Sequence, residues 1–234
     1  QPRHLRVRGE DGEDMICFLG TSFAANHLRE AARNRGFMIT GDPEEAHIIF
    51  ISQDSDIGPH GERGLDKVRE LIETAKLYHP ILVLTSQVPP GFTRSLGIPD
   101  IYHQAETLRV KDAAQRAAKP EQFIVGCADP KAGLPVSYVE YLMAFPGDIM
   151  KVTWEEAEFA KIAINMTLAS QVENTNRLWA AASKCGADWN NIIPILQRDK
   201  RIGKYSYLEP GDWKKSQHLL RDYVTLKEIE DGSL

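Results

Sequence analysis

Short, fully apolar runs alternate with amphipathic stretches along the first two thirds of the chain. "MICFL" (15–19) reads as a buried strand, and "NHLREAARNRG" (26–36) as a helix closed by a glycine. "FMIT" (37–40) and "AHIIFIS" (46–52) are strand-like, with proline and acidic residues between them. In "RGLDKVRELIETAKLYH" (63–79), Leu65, Val68, Leu71, Ile72 and Ala75 share one face, the spacing of a surface helix packed on a sheet. "PILVLTS" (80–86) is a further apolar strand. After a proline-rich turn come a strand at 101–102, a helix near 107–118, the strand "QFIVGC" (122–127), a helix near 134–144 and a strand at 148–152. Strands without polar alternation, separated by helices, are what a parallel sheet covered on both faces requires. The pattern therefore predicts the α/β class, a Rossmann-like, doubly wound parallel sheet.

The pattern changes at Thr153. Residues 154–186 run without Pro or Gly until Gly186, the expected C-terminal cap of one long helix. Such a helix connects domains or forms a dimer, or else supplies one face of a small bundle. A shorter helix at 188–199 follows, with Asp188 as N-cap, then the loop "LEPGDWKK" and a final helix over about 216–229. The expected organisation is a flexible segment 1–14, a Rossmann-like domain 15–152 and a helical domain 153–234.

The 234 residues are 42% hydrophobic and 26% charged, ordinary for a globular protein, and the net charge of -5 is mixed in sign. Nothing in that balance points to nucleic acid or a membrane surface as partner. Arg3, Arg6 and Arg8 are followed at once by Glu10, Asp11, Glu13 and Asp14, a solvated terminus. No apolar run is long enough to span a bilayer and no leader pattern precedes the first strand, so a cytoplasmic protein is expected. Cys17, Cys127 and Cys185 show no metal-ligand spacing, and no metal is expected.

Four places carry candidate chemistry. The first strand-to-helix turn, "FLGTSFAAN", stands where a dinucleotide fold has GxGxxG. Gly20 and Ala25 meet the first and third requirements, Ser22 replaces the second glycine, and Asp42 is the acidic residue for the adenosine ribose. The same turn is also consistent with plain strand-to-helix punctuation. "TSQVPPGFT" (85–93), with Ser86 and Gln87, ends a buried strand where open α/β sheets bind ligands; its Pro-Pro-Gly is equally a rigid turn. Glu158, Lys161 and Asn165 lie on the long helix, the last two at i,i+4 and so on one face, either a site or a solvated edge. Finally, "DKRIGKYSYLEPGDWKKSQHLLRD" carries Arg201 in a basic, aromatic loop fit for an anion. It also carries His218 and Asp222 four residues apart. The alternative is that Ser216 caps the last helix and His218 bonds locally.

In order, these segments resemble the UDP-glucose/GDP-mannose dehydrogenase family of NAD-dependent nucleotide-sugar 6-dehydrogenases. "PEEAHIIFIS" is similar to the family's acidic-Ala-Asp-apolar strand, "TSQVPPGFTRSL" to S-T-V-P-x-G-T-T, and "ETLRVKDA" with "FIVG" to N-P-E-F-L-R-E-G-x-A and its following strand. "EAEFAKIAINMTLASQVENTNRLWAAASKCGAD" resembles the central helix A-E-x-x-K-x-x-x-N, and "DKRIGKYSYLEPG" resembles D-x-R-I-G-x-x-x-L-x-P-G. The resemblance implies that Glu106 handles water and a proton, that Lys161 and Asn165 steady the reacting oxygen, and that Arg201 and Arg221 contact substrate. It sets Asp222 on the family's aspartate and His218 on its nucleophilic cysteine. Histidine cannot form the thiohemiacetal of the second oxidation, so the expectation is alcohol-to-aldehyde oxidation at most, on a nucleotide sugar or another polyol, with NAD or NADP at a weakened site. The alternative is a non-catalytic relative used for ligand binding, regulation or as a dimeric scaffold. A homodimer through helix 154–186 is expected on either reading. The nucleotide half is shortened around "FMITGDPEEA", and the family's C-terminal nucleotide-sugar domain has no counterpart before the chain stops.

Overall fold

The computed structural model describes residues 14–78 and 80–234; the flexible segment expected over 1–14 lies outside the described residues except for Asp14. Two compact units emerge, one holding the chain up to Asp56 together with Arg63–Lys161, the other Ile57–Glu62 with Ile162–Leu234.

The first unit is built on β1 (Met15–Leu19), α1 (Phe23–Asn34), β2 (Met38–Thr40) and β3 (Ile48–Ile51). After β4 (Asp56–Ile57) and β5 (Arg63–Gly64) come α2 (Asp66–Ala75), β6 (Ile81–Leu84), α3 (Phe92–Ser95), β7 (Ile101–Ala105) and α4 (Ala113–Ala118). The unit continues through β8 (Gln122–Cys127), α5 (Val136–Met143) and β9 (Asp148–Thr153). The main sheet has the order β2-β1-β3-β6-β7-β8-β9. Its strands are parallel except that β8 runs antiparallel to β7, with His103 opposite Gly126. The expected all-parallel sheet is corrected at that one pairing. The chain between β7 and β8 contains only the short α4, so β8 returns alongside its predecessor instead of crossing over.

Both faces of the sheet are covered, as the apolar runs require. Ile16, Phe18, Ile48, Phe50 and Val83 pack under α1 and α5 with Tyr138, Tyr141 and Phe145, whereas Cys17, Ile49, Ile51, Leu82 and Leu84 pack under α2 with Val68 and Ile72. Adjacent residues of one strand thus divide between two cores. Helix formation near 107–118 is confined to 113–118: ahead of the helix Glu106 bonds the N–H of Leu108 and Asp112 bonds Arg109, while Asp112 also bonds Arg116 within its first turns.

α6 (Trp154–Lys184) begins at the end of β9. Gly186, at φ +76°, ends it as expected, with the Ala187 N–H returning to the Ala182 carbonyl. The second unit contains the greater part of α6, then α7 (Trp189–Arg198) and α8 (Gln217–Glu230). Asp188 caps α7 through Asn190 N–H. The segment 57–62 joins this unit because Gly61, at φ +95°, lies so close to Val224 that a Cβ there would come within 2.8 Å. No described helix is long and apolar enough to cross a membrane.

Candidate functional site

The strand order changes direction between β1 and β3, and in open α/β sheets the crevice beyond the carboxyl ends at such a point is where ligands sit. Gly20 makes the turn there at φ +104°, and a Cβ would lie 2.4 Å from the Ser52 carbonyl oxygen. The glycine is thus explained by the close approach of β3, whether or not anything binds.

The N-terminus of α1 follows, with N–H groups that in a dinucleotide fold receive a diphosphate. Here the chain's own side chains take them. Gln53 Oε1 accepts from Thr21 N–H at 3.1 Å, Asp54 Oδ2 from Phe23 N–H at 3.2 Å, and Ser22 Oγ from Ala25 N–H at 3.0 Å. Ser22 is 3% exposed and its hydroxyl also bonds that of Ser52 at 2.7 Å, so the residue in the second-glycine place is the helix cap, not an opening. Asp42 lies just past β2, where a ribose acid belongs, with Oδ1 engaged by Glu44 N–H. Ser86 stitches the ends of β3 and β6 by accepting Gln53 N–H at 2.9 Å, and Gln87 beside it has a buried side-chain oxygen without a hydrogen-bond partner. The ribose end of a dinucleotide fits these residues; its diphosphate does not, because a carboxylate and a capping hydroxyl stand on the donors it needs.

Two residues assigned by family resemblance meet in this unit. Glu106, half-buried at the end of β7, is pushed above the usual carboxylate range by burial, and Lys161 of α6 acts against that shift by its charge. The remaining member of the helix trio, Glu158, holds the fold together, since its two oxygens accept the N–H groups of Gly91 and Thr93 at 2.6 and 2.8 Å. Burial raises its pKa, while these bonds hold it down.

The helical unit holds the rest. Asp222 is fully buried and accepts from Asn165 at 2.5 Å, with Arg221 Nε 3.4 Å from its other oxygen. The loop leading to α8 is lashed to α6. Gln171 accepts Tyr207 N–H, Thr175 donates to the Tyr207 carbonyl, and Asn176 grips both backbone groups of Gly211. Trp213 is buried and donates to Glu173, and Trp189 donates to the Leu208 carbonyl. The loop is therefore an anchored ledge. Arg201 is exposed and forked onto Asp199. His218 is exposed on the first turn of α8; Ser216 occupies the N-cap position, but its hydroxyl makes no capping bond. Sequence reading missed Gln53 and Asp54. The signal was available: a polar pair directly after a buried strand, opposite the glycine turn.

A profile of the UDP-glucose/GDP-mannose dehydrogenase family, central domain, matches residues 155–218. The chain is 26% identical over 180 residues to the UDP-glucose 6-dehydrogenase of Pseudomonas aeruginosa, a match covering 69% of this chain and 40% of that protein. Against the Streptococcus pneumoniae UDP-glucose 6-dehydrogenase it is 26% identical over 177 residues, 66% of this chain and 45% of the other. The chain thus spans less than half the length of these relatives. The UDP-glucose dehydrogenase of Pyrobaculum islandicum superposes with a TM-score of 0.74 at 18% identity, covering 98% of this chain and 66% of that one. The GDP-mannose dehydrogenase of Pseudomonas aeruginosa gives 0.64 at 17% identity, covering 95% and 63%. At such identities these structures establish the fold, a Rossmann-type sheet followed by a long helix.

Proposed function

Because the chain belongs to the UDP-glucose/GDP-mannose dehydrogenase family, we propose that it is a non-catalytic member that holds a nucleotide sugar without oxidising it. The observation that carries this reading is the absence, within the helical unit, of a thiol beside Asn165 and Asp222. Cys17 and Cys127 are buried in the sheet, and Cys185 lies about 30 Å along the α6 direction from Asn165, at 1.5 Å per residue. With His218 in the family's cysteine place, no covalent thiohemiacetal can form and the alcohol-to-acid oxidation has no nucleophile. The α1 N-terminus does not fit a dinucleotide diphosphate, so the reading involves no hydride transfer. What remains suits binding. Asn165 and Asp222 are buried against one another and serve as a fixed internal support, while Arg201, an exposed planar cation paired with Asp199, is of the kind that grips phosphate. A homodimer through α6 belongs to the same reading, supported by exposed Leu178 and Trp179.

Mixing the chain with NAD and UDP-glucose or GDP-mannose should produce no NADH absorbance, whereas calorimetry should register binding of one of the two sugars. NADH formation would overturn the non-catalytic reading, and a flat titration with both sugars would overturn the binding one. A second reading draws on two polar pairs, each within its own unit: Lys161, whose charge acts on Glu106, and Asn165, which bonds Asp222. It is a single alcohol oxidation in which His218 would take the hydroxyl proton and a bound NAD would serve as the hydride acceptor, and its product would be an aldehyde, trapped by a hydrazide reagent, with no acid formed.

A further inference from the structure

We propose that Asp54 is an internal anion that occupies the diphosphate place at the N-terminus of α1 and, together with Ser22, keeps dinucleotides out. The proposal rests on the non-catalytic reading and names the residue that decides it. The positive end of α1 and its first-turn N–H groups attract negative charge. Asp54 supplies that charge from within, 31 residues along the chain from the Phe23 N–H it bonds, and the neighbouring Gln53 takes Thr21 N–H. Ser22, bonded at once to Ala25 N–H and to Ser52, fills the space a glycine would leave. An incoming diphosphate would have to displace the carboxylate from the Phe23 N–H and would then face its charge within a few ångströms, a separation shorter than the screening length of physiological salt even though Asp54 is exposed. Asp42 stays in place for a ribose. The exclusion therefore falls on the phosphates, not on the nucleoside.

ADP separates diphosphate capture from turnover. Titrated into the full chain, it should bind too weakly to saturate. The variants Asp54→Gly and Asp54→Asn, each combined with Ser22→Gly, should bind it at least ~10-fold more tightly. Asp54→Asn keeps an acceptor for Phe23 N–H and removes only the charge. Variants that retain the parent's far-ultraviolet spectrum yet gain no affinity would overturn the proposal, as would a parent chain that binds ADP as tightly as they do. The parent also gives a test that depends on no variant: its Phe23 and Ala25 amide resonances should stay in place when ADP is added, and their displacement would overturn the proposal. NADH formation by the parent counts against the non-catalytic reading, while variants that capture nothing count against Asp54 alone.

Discussion

His103 sits in the middle of β7, 2% exposed, with a buried Nδ1 that has no hydrogen-bond partner. Burial lowers its pKa from 6.5 to about 4, because the charged imidazolium would be stranded without water. A base whose folded pKa is depressed favours the folded state while it is neutral. Its contribution is therefore complete above about pH 6.5 and disappears as the pH falls toward 4, a loss of about 3 kcal/mol at ~1.4 kcal/mol per pH unit. Denaturant midpoints measured between pH 7.5 and 4 should fall steeply in that window for the parent and less steeply for His103→Gln. At this scale the sequence was legible where chemistry is intrinsic to the residue type. It showed that His218 cannot do a thiol's work. It could not show that Asp222 is fully buried against Asn165, since those residues are 57 positions apart.

Among elements, Glu158 shows how the helix and the turn depend on one another. The proline-rich turn before α3 was legible from "VPPG", and Gly91 indeed adopts φ +89°. The sequence did not reveal that a carboxylate from α6 would satisfy the N–H groups of Gly91 and Thr93, 67 and 65 residues away. Glu158→Ala should leave the buried Thr93 N–H and the partly buried Gly91 N–H unpaired, lowering stability by about 2 kcal/mol without changing the cooperativity of unfolding, as read from denaturant midpoint and slope. A change of less than ~0.5 kcal/mol would show that water takes the carboxylate's place. Gly126 reports the same dependence from the sheet side: a Cβ on it would lie 2.8 Å from that of Ala157, so α6 can seat on β8 only over a bare backbone. In "QFIVGC" that glycine looked like a member of an ordinary buried strand.

For the whole molecule, the exposed apolar residues of the helical unit raise the question of a second copy. Leu178 and Trp179 on α6 are 43% and 47% exposed, and Ile195 on α7 is 64% exposed. On the proposed reading these side chains belong to the surface that a second copy would cover. Light scattering should give twice the chain mass at micromolar concentration, and Trp179→Glu with Ile195→Lys should halve it while leaving helix content intact; a parent of single mass would rule the dimer out. The amino-acid order alone determined the α/β class, the order of the main-sheet strands and longer helices, and the long helix ending at Gly186, because burial on a period of two or 3.6 residues is a local property; the short β4, β5 and α3 were not read from it. Only the tertiary structure decided the antiparallel β7–β8 pairing, the seating of Asp54 on α1 and the joining of Asn165 to Asp222. Each of these depends on which distant segments the core brings together, and a polar side chain bonds whatever donor or acceptor folding leaves within reach.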